Sequence, residues 1–568
     1  MKSFGLLFWA ALIALVATPS SSQSCGPRMR KSWLALSPVE TTLYKDAVAA
    51  SMDSGGYAKF IEMHTEMMSE MEAHRQCMFI YWHRLLLLAF ENMLRGQAVR
   101  FACVTVPYWD WVSDYNRFVN GECTNMLDCS FALQALGGVT NTPRKQKNLQ
   151  INGEWTYGVC MTVSPLNHFC QASNLQGMRC AKCVTRGLWS TTTPPAAASY
   201  ASVKSQLFSA TNIAEMSNAI ETGAHNNVHS NLAGAMETFA SPADPIFWSH
   251  HAMIDLLHTI FHKCRVGTER MTLEQKITST VGWDSCERAN GGVFNPLDQV
   301  TMRTGLLGNN PTPGRKDRLI GKFFTGLPTQ FAPLMDHNDL GASSYSYLYQ
   351  GLLGELYANC GEPEITVGEE TSVGLGEEDP VDGSRRRRLE DSLESAISAT
   401  GSAFNSSTVV QDPASNVTNV ASGELVLVML TTASNASTAS NSSSLAIPTN
   451  NASASILIVA AVNLTLEDSA KIVNTFTVAT NDQLVAQVGV SDTATVISEQ
   501  EKMQCMFQDE CLGGVKDYSA AFKKNFRITE PPRCKGIVDR IRSGEDAIAL
   551  EDWKQSMVES FGCPIPKN

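Results

Sequence analysis

The chain has 568 residues and a formal net charge of −12, with 43% hydrophobic and 18% charged residues. This length allows more than one domain, and one of them can bury a sizeable core. The acidic balance argues against a nucleic-acid-binding protein, because nothing in the composition would neutralise phosphates.

The first residues, MKSFGLLFWAALIALVATPSSSQS, contain a lysine, then an apolar run, then small residues. This order is typical of a secretory signal peptide, here residues 1–22. No later apolar run reaches the roughly 18 residues that a membrane span requires. The sequence therefore predicts a secreted, extracellular protein without a membrane span.

The chain contains 16 cysteines, and in an exported protein this favours disulfides over a reactive thiol. Twelve lie in the range 25–360 and four in the range 505–563. Both groups are even in number, so each can pair within itself. Cys180 and Cys183 in RCAKC could be half of a zinc site, but the chain has no second CxxC, and we predict a disulfide role.

The composition divides the chain into regions. Residues 25–362 are globular in composition, and we predict that they form the main folded domain. After them come an acidic stretch, EPEITVGEETSVGLGEEDPVDGS, and a tract rich in Ser, Thr and Asn. We therefore predict that residues 363–454 form a linker. We predict that residues 455–568 form a C-terminal extension with four cysteines. Within it, the β-branched residues between about 455 and 498 favour strands, and EDWKQSMVESF favours a helix.

The linker region has two further features. Every Asn-x-Ser/Thr acceptor of the chain lies between 405 and 463, which predicts a glycosylated, exposed spacer: Asn405, Asn416, Asn435, Asn441, Asn451 and Asn463. Four arginines, Arg385–Arg388, interrupt the acidic stretch. They are either a solvated basic patch or, in an extended and exposed chain, the site of a processing protease.

The chain's 11 histidines fall into groups, of which the first is in EMHTEMMSEMEAHRQCMFIYWHRLLLLAFENML. A lone histidine on an apolar helix is usually a satisfied core residue, but His64, His74 and His83 lie within twenty residues. His74 comes nine residues before His83, too far for one helix face. A bend between them is therefore needed to bring both to one ion.

The second group, in ETGAHNNVHSNL, contains His225 and His229. On a helix this spacing places both imidazoles on one face, about one turn apart, where both can reach one metal. A polar helix face with two unrelated histidines is the alternative for this pair alone.

The third group lies in DPIFWSHHAMIDLLHTIFHK. Adjacent His250 and His251 diverge by about 100° on a helix, so both cannot serve one ion from there. His258 and His262 lie ~10 and ~16 Å along the axis from His251 and have no nearby acidic or cysteine ligand, so structural roles are expected. His251 therefore needs partners from elsewhere, and the HNNVH pair is available.

Taken in order, HRQCMFIYWHR, LLLLAFE, PYWDW, HNNVH and DPIFWSHHAMIDLL resemble the central domain of the tyrosinase family, over roughly residues 50–265. These are type 3 copper proteins related to catechol oxidases and haemocyanins. Several motifs in one order make the resemblance specific, which an isolated HxxxH would not be. It implies a mainly α fold, with a four-helix bundle that holds two metals in its core.

The resemblance also implies the metal ligands, three on each copper. In DPIFWSHH the family's ligand is the second histidine, so His250 is expected beside the metal without binding it. The ligands implied for the first copper are His64, His74 and His83, and those for the second are His225, His229 and His251.

The implied activity is that of a copper-dependent monophenol and o-diphenol oxidase, with two copper ions (Cu2+/Cu+) as cofactor and O2 as co-substrate. Phenols such as tyrosine, DOPA and catechols would be converted to o-quinones that feed melanin-type pigment. The alternatives are a catechol oxidase without monophenolase activity and, in another class, a haemocyanin-like oxygen carrier. A zinc hydrolase is disfavoured because HExxH is absent. The oligomeric state does not follow from the sequence.

Four more residues match family positions near the coppers. Glu221 and Asn226 match residues that hold and polarise a water, which would serve as general base for a phenol whose pKa is about 10. An ordinary helix carboxylate and a capping amide are the alternative. Thr238 and Phe247 are expected at the substrate access, and a one-residue slip in the alignment would replace Thr238 by Phe239.

C-terminal extensions in this family often cover the copper site until they are removed. We expect the residues after about 365 to form such a cover or a targeting stalk, released by cleavage at Arg385–Arg388.

Three residues near the ligands have separate expectations. Some relatives have a cysteine, linked by sulfur to a ligand, where this chain has Glu72, so that link is not expected here. Cys77 is instead predicted to form a disulfide. Asp255, four residues after His251, either orients its neighbours or lies on the helix surface.

Overall fold

The computed structural model describes residues 25–138, 146–177, 179–288, 291–362, 466–490 and 492–563. All of them belong to one compact unit, which includes both the chain before residue 363 and the chain after residue 465. The predicted signal peptide, the Asn-x-Ser/Thr tract and the arginine run lie outside the described residues. No helix among the described residues has the length and apolar character needed to cross a membrane.

The fold is mainly α-helical, as predicted. The helices before residue 363 are α1 (Pro38–Asp53), α2 (Gly56–Thr65), α3 (Met67–Ala73), α4 (Phe79–Arg95), α5 (Trp111–Val119), α6 (Met126–Cys129), α7 (Phe131–Ala135), α8 (Tyr200–Phe208), α9 (Ile213–Ile220), α10 (Asn226–Leu232), α11 (Ile246–Arg265), α12 (Leu273–Ile277), α13 (Thr280–Trp283) and α14 (Gly351–Asn359). Those after residue 465 are α15 (Leu466–Gln483), α16 (Thr493–Cys511), α17 (Ala520–Phe526), α18 (Arg533–Ser543) and α19 (Trp553–Phe561).

The strands are short: β1 (Arg28–Arg30), β2 (Gln146–Ile151), β3 (Glu154–Met161), β4 (Val184–Arg186), β5 (Arg303–Leu306), β6 (Asn309–Pro313) and β7 (Tyr345–Tyr347). β1 pairs in parallel with β7, β2, β3 and β4 form an antiparallel sheet in that order, and β5 pairs with β6. In the three-stranded sheet, Gln146 lies opposite Val159, and Val159 in turn lies opposite Arg186.

The centre of the molecule is the predicted helix bundle. α4 is almost completely buried, and its polar side chains His83, Arg84 and Glu91 are buried together with the apolar ones. Its Phe90 ring stacks on Trp248 of α11 at 3.5 Å between centroids, and Phe60 of α2 lies 5.6 and 5.8 Å from these two rings. These contacts place α2, α4 and α11 side by side, with α10 against α11 through the histidines described below.

Asp255 of α11 lies in this core and not on the helix surface. Its carboxylate accepts hydrogen bonds from Arg84 of α4 and Arg30 of β1, at 2.7 and 3.1 Å. The hydroxyls of Tyr345 and Tyr347 of β7 donate to it at 2.6 and 2.7 Å. Of the two roles expected for Asp255, the one on the helix surface is wrong, because the buried carboxylate joins both central helices to the small parallel sheet. Its role in orienting groups around the metals stays a prediction.

The chain changes direction between α9 and α10 through a wide helical turn, Glu221–His225. Gly223 has a non-helical backbone there (φ −86°, ψ −115°), and a Cβ on it would lie 2.2 Å from Oε1 of Gln206. Gln206 is buried and held by the Ala197 carbonyl and the Ala224 N–H, at 2.9 and 2.8 Å. A side chain at position 223 would therefore have to break these hydrogen bonds.

All 16 cysteines form disulfides, and both groups pair within themselves as predicted. Cys77 forms a disulfide, as predicted. Cys180 and Cys183 also form disulfides, but not with each other. The pairs are Cys25–Cys103, Cys77–Cys286, Cys123–Cys129, Cys160–Cys183, Cys170–Cys180, Cys264–Cys360, Cys505–Cys534 and Cys511–Cys563.

The strands predicted between about 455 and 498 are wrong wherever the structure describes that range. Residues Leu466–Gln483 form α15, a helical turn follows at Leu484–Val488, and α16 begins at Thr493. Val473 and Phe476 of α15 are three residues apart and therefore fall on one helix face. Each packs against a buried apolar cluster. Tertiary packing of this face overrides strand propensity. The helix predicted in EDWKQSMVESF is confirmed as α19.

The C-terminal region shares a hydrophobic core with α5. Buried Tyr115 and Phe118 of α5 belong to the same apolar cluster as Met503 and Phe507 of α16. The Tyr115 hydroxyl also donates to Oε1 of Gln508 at 2.8 Å. The extension is thus packed onto the preceding chain and is not a separate lobe.

Candidate metal centre

The first histidine group comes from three helices. His64 lies in the last turn of α2, His74 directly follows α3, and His83 lies in the first turns of α4. A ring nitrogen of each lies within 4.8 Å of one from each of the others. The bend expected between His74 and His83 is present, since α3 ends at Ala73 and α4 begins at Phe79.

The second histidine group differs from the set of ligands that the sequence implied. Nitrogens of His225, His229 and His250 lie within 4.8 Å of one another. The predicted ligand His251 is adjacent, with its ring centroid 5.0 Å from His225 and 5.7 Å from His229. Its ring stacks on His83 at 4.1 Å, so it lies between the two groups. The ligand role of His251 stays a prediction.

Oxygen acceptors fix the orientation of five of these rings. A carbonyl oxygen only accepts, so each Nδ1 facing one carries the proton, and Nε2 keeps its lone pair. The Nδ1 contacts are His64 to the Phe239 carbonyl (2.7 Å), His74 to that of Glu70 (3.3 Å), His83 to that of Phe79 (2.9 Å), His229 to that of Met236 (2.6 Å) and His225 to Oδ1 of Asn226 (2.9 Å).

The opposite nitrogens have no protein partner. Nε2 of His64, His83, His225 and His229 is buried without a hydrogen bond. A buried polar atom without a partner is costly, and several of them converging on two points are satisfied if a metal ion binds at each. The residues present therefore fit two metal ions.

The electrostatics agree with this geometry. Burial lowers the pKa of His64 to about 3 and that of His229 to about 4, and it lowers the pKa of His74, His83 and His225 well below the ordinary value. The neutral imidazole is the form that binds a metal. At neutral pH these rings are therefore in their ligand form.

The donors are all imidazole nitrogens, a set that suits copper and zinc. Three nitrogens per ion leave coordination positions open for a small molecule. A helix bundle with two such groups side by side defines a binuclear metalloprotein with all-histidine ligation.

The comparisons with known proteins give the family. Residues 54–263 match the common central domain of tyrosinase. The chain is 30% identical over 239 residues to a tyrosinase of Streptomyces galbus, covering 39% of this chain and 79% of that protein, and 28% identical over 277 residues to one of Streptomyces glaucescens, covering 42% and 84%. A solved polyphenol oxidase of Thermothelomyces thermophila is 16% identical, with a TM-score of 0.33, over 57% of this chain and 89% of that one. The chain belongs to the tyrosinase family.

Glu221 and Asn226, the predicted general base, lie next to the histidine groups. The Glu221 carboxylate accepts two contacts from the N–H of Arg75, the residue after His74, at 2.8 and 2.9 Å. Burial raises the pKa of Glu221 to about 8. Glu221 and Asn226 line the same cavity of about 700 Å³. Their catalytic role stays a prediction.

The two predicted access residues differ in position. The Phe247 ring lies 4.2 Å from that of His251 and 5.1 Å from that of His64. The Thr238 hydroxyl donates to the Ala235 carbonyl at 3.0 Å, within its own loop. Neither observation tests an access role, which stays a prediction for both residues.

Phe239, the residue that the alignment slip would select, contacts the first group. Its ring lies 5.5 Å from that of His74, and its carbonyl holds His64.

A residue that sequence reasoning missed lies against both groups. The Phe526 ring of α17 is 6.0 Å from His74, 6.1 Å from His229 and 4.7 Å from Phe239. It belongs to a stretch that we call the aromatic segment, residues 518–526. The only signal in the sequence is the four-residue spacing of its aromatic side chains in YSAAFKKNF.

Polar contacts hold the aromatic segment in place. The Ser519 N–H donates to Oγ of Ser230 at 3.1 Å, and the Ser519 hydroxyl donates to Oε2 of Glu237 at 2.6 Å. Nδ2 of Asn525 donates to the Glu237 carbonyl at 2.9 Å.

Three other residues that the sequence singled out lie outside both histidine groups: Glu72, His258 and His262. Glu72 accepts hydrogen bonds from the N–H and the hydroxyl of Thr301, at 2.6 and 2.9 Å. Among the described residues, His258 and His262 belong to neither group, and the His258 ring lies 5.3 Å from Tyr81.

Proposed function

We propose that this tyrosinase-family chain is a secreted tyrosinase, which uses two copper ions and O2 to hydroxylate monophenols and oxidise o-diphenols to o-quinones. The observation that carries the proposal is the pair of buried imidazole groups. Oxygen acceptors hold Nδ1 of five of these rings, and Nε2 of His64, His83, His225 and His229 lies inside without a partner. Quinones of this kind polymerise, so melanin-type pigment is the expected product.

The proposed ligands are His64, His74 and His83 for one ion and His225, His229 and His251 for the other. When bound, copper supplies the electrons and the activation of O2 that no side chain can supply. The protein's part is to keep the six imidazoles neutral and oriented, and to enclose them in a buried bundle that limits the access of water.

The phenol must lose its proton before its ring is hydroxylated. In the proposal, Glu221 and Asn226 hold a water in the cavity that they share, and the Glu221 carboxylate takes the proton through this water. Burial raises the pKa of Glu221 to about 8, which makes its ionised form a stronger base than an ordinary carboxylate.

A catechol oxidase is the second candidate. Oδ1 of Asn226 already faces Nδ1 of His225, which leaves only the amide N–H groups of Asn226 for a water. If that water is absent, diphenols but not monophenols are oxidised. An oxygen carrier is the third candidate, because the Phe526 ring lies over both histidine groups.

We also propose that the chain after about residue 365 covers the site in the intact protein, and that cleavage at Arg385–Arg388 starts its release. The position of Phe526 supports this cover. Secretion, glycosylation of the linker and removal of residues 1–22 complete the proposal, and the disulfides are compatible with an extracellular location.

The experiment that tests the proposed function is a count of copper per purified chain. We expect two copper ions, one fewer in His83→Ala or His229→Ala, and two in the matched control His258→Ala, which removes a buried histidine outside both groups. His251→Ala should lose one ion and His250→Ala should keep both. A chain that binds only zinc, or that keeps its copper in all these variants, would contradict the proposal.

Oxygen-dependent conversion of tyrosine and of DOPA, measured after the cover is opened, separates the three candidates. A tyrosinase converts both, a catechol oxidase converts only DOPA, and an oxygen carrier converts neither.

A further inference from the structure

Three methionines lie exposed on the short helix α3. The side chains of Met67, Met68 and Met71 are 65%, 45% and 37% exposed. Methionine is usually buried, and among the described residues only Met29 is another methionine exposed to this degree. No other stretch of five residues in the part of the chain that the structure describes has three exposed large apolar side chains. We call these three residues the methionine patch.

The helix brings the three side chains of the patch to one face. Met71 follows Met67 by four residues and Met68 by three, and residues at these spacings are neighbours on a helix surface, with Cβ atoms about 5–6 Å apart. The other face of α3 is buried, with Ser69, Glu70, Glu72 and Ala73 turned inward. Because each thioether ends a flexible and solvent-exposed side chain, the three sulfur atoms are free to converge on one ion.

The patch offers a soft type of ligand. Thioether sulfur selects Cu(I), whereas hard cations such as magnesium and calcium prefer oxygen. All 16 cysteines form disulfides, so no thiolate of this chain competes for copper. α3 contains no lysine or arginine, and Arg75, which follows shortly after it, lies 3.6 Å from the carboxylate of Glu70.

The patch lies in the segment that joins two proposed ligands of the first copper. His64 precedes Met67 by three residues, and His74 follows Met71 by three residues, directly after the end of α3. Three residues correspond to about 5 Å along a helix axis. One short helix therefore joins an exposed set of sulfur atoms to a buried set of imidazole nitrogens.

An exposed apolar patch is also a feature of surfaces that contact another protein. Such a contact depends on apolar area and shape, which leucine provides as well as methionine does. Cu(I) binding depends on sulfur, which leucine lacks. Substitution of the patch by leucine therefore distinguishes the two.

We propose that the methionine patch binds one Cu(I) ion and is the entry site from which copper reaches the first histidine group. The transfer exchanges copper–sulfur contacts for copper–nitrogen contacts, and copper remains Cu(I) throughout, so no electron moves. No proton moves either, because Nε2 of the receiving rings already has its lone pair free. The role in loading rests on the proposed function, whereas the binding of Cu(I) by the patch does not.

The first test is a count of Cu(I) together with its ligand type. The metal-free full chain is titrated with Cu(I) in the absence of oxygen against a coloured Cu(I) chelator, and X-ray absorption detects sulfur next to the bound copper. We expect about three ions per chain with a sulfur contribution, and about two ions without it in the triple variant Met67→Leu, Met68→Leu, Met71→Leu.

The substitutions preserve volume and helix propensity, so the fold should be retained. Met71→Leu alone, at the position next to both other methionines, should lose most of the sulfur contribution and serves if the triple variant folds poorly. Met29→Leu, which removes an exposed methionine outside the patch, is the matched control and should change neither the count nor the sulfur contribution.

The second test is the rate at which the interior sites fill. Copper that resists a brief wash with chelator is counted over time at a limiting supply of Cu(I). We expect the triple variant to fill about tenfold more slowly and to reach the same final count, because an ion held at the patch reaches His74 within the same molecule. Equal rates in the two chains would overturn the entry role.

The outcomes separate this inference from the proposed function. Two interior copper ions with no sulfur contribution, or with one that persists in the triple variant, would overturn the patch and leave the proposed function standing. A sulfur-bound ion that is lost in the triple variant, in a chain whose histidines hold no copper, would support the patch and overturn the proposed function.

Discussion

Five of the six proposed ligands are oriented by one backbone or amide oxygen each, while both ring nitrogens of His251 lack a hydrogen bond. The carbonyls of Phe79, Met236 and Phe239 accept the Nδ1 protons of three rings, so each ring presents Nε2 to the interior. Because these acceptors are main-chain atoms of buried segments, the rings keep their orientation without help from charged side chains. This arrangement keeps the ligands neutral, which metal binding requires.

Replacing Asn226 by alanine tests the proposed general base. We expect tyrosine hydroxylation to fall about a hundredfold, because the water loses one of its two holders, while catechol oxidation falls much less. Steady-state rates with both substrates, in the opened Phe526→Gly background, provide the measurement. They are expressed per bound copper, because the change also removes the Oδ1 acceptor of His225 Nδ1. Asn231→Ala, in the same helix, is the control, and equal losses with both substrates would contradict the assignment.

Asp114 of α5 makes the stability of the protein depend on pH. Its carboxylate accepts from the indole N–H of Trp109, and burial raises its pKa from 3.8 to about 8. The folded state binds the proton more tightly than the unfolded state, so this contribution is complete below about pH 3.8 and is lost as the pH rises to about 8. Asp114→Asn cannot ionise and should not show this loss.

Urea unfolding at pH 4, 6 and 8 provides the measurement for Asp114. The free energy of unfolding of Asp114→Asn should rise relative to the unmodified chain by up to about 5 kcal/mol between pH 4 and pH 8. Asp46→Asn, an exposed aspartate of α1, is the control. Parallel pH profiles for Asp114→Asn and the unmodified chain would show that Asp114 titrates normally.

At the level of elements, breaks in the helices decide where the histidines lie. The first break, between α3 and α4, turns His74 towards His83, although the two are nine residues apart. The second is the wide turn Glu221–His225, which ends α9 and places His225 at the start of α10. Wide turns of this kind often occur at functional sites, where they re-aim side chains.

Gly223→Ala tests the second break. The new Cβ would meet Oε1 of Gln206 at 2.2 Å, and Gln206 has no free space because it is buried and hydrogen-bonded. We expect the free energy of unfolding to fall by about 1–3 kcal/mol and the copper held by His225 to be lost first. Gly354→Ala in α14, where a Cβ meets nothing closer than 3.8 Å, should leave both quantities nearly unchanged. A Gly223→Ala chain with unchanged stability and copper content would contradict the argument.

At the level of the whole molecule, only the polypeptide itself and noncovalent packing join the C-terminal extension to the preceding chain. The eight disulfides join cysteines within the range 25–360 or within the range 505–563, and none links the two ranges. The extension is held by a shared core with α5 and by buried polar contacts, such as the Ser202 hydroxyl on Glu501 at 2.6 Å.

Cleavage at Arg385–Arg388 should therefore leave the two fragments together. We expect trypsin-nicked protein to elute as one species in gel filtration and to remain poorly active, and activity to rise only when mild urea releases the extension. Activity towards DOPA, measured at each step alongside the elution volume, checks this. Fragments that separate directly after cleavage, or an intact chain that is already fully active, would contradict the proposed cover.

The sequence by itself determined the family, the helical class, the histidine groups and the even division of the cysteines. These features depend on local spacing, such as the four residues between His225 and His229 or the motif order around DPIFWSHH, and local spacing can be read without the fold. The tertiary structure decided which oxygen orients each ring, why the residues after 465 are helical, and that Phe526 reaches the histidines. Phe526 reaches His74 across hundreds of positions of sequence, whereas the acceptors of the rings lie between 1 and 175 positions from their histidines. In both cases the contact depends on the folded geometry and cannot be read from spacing alone.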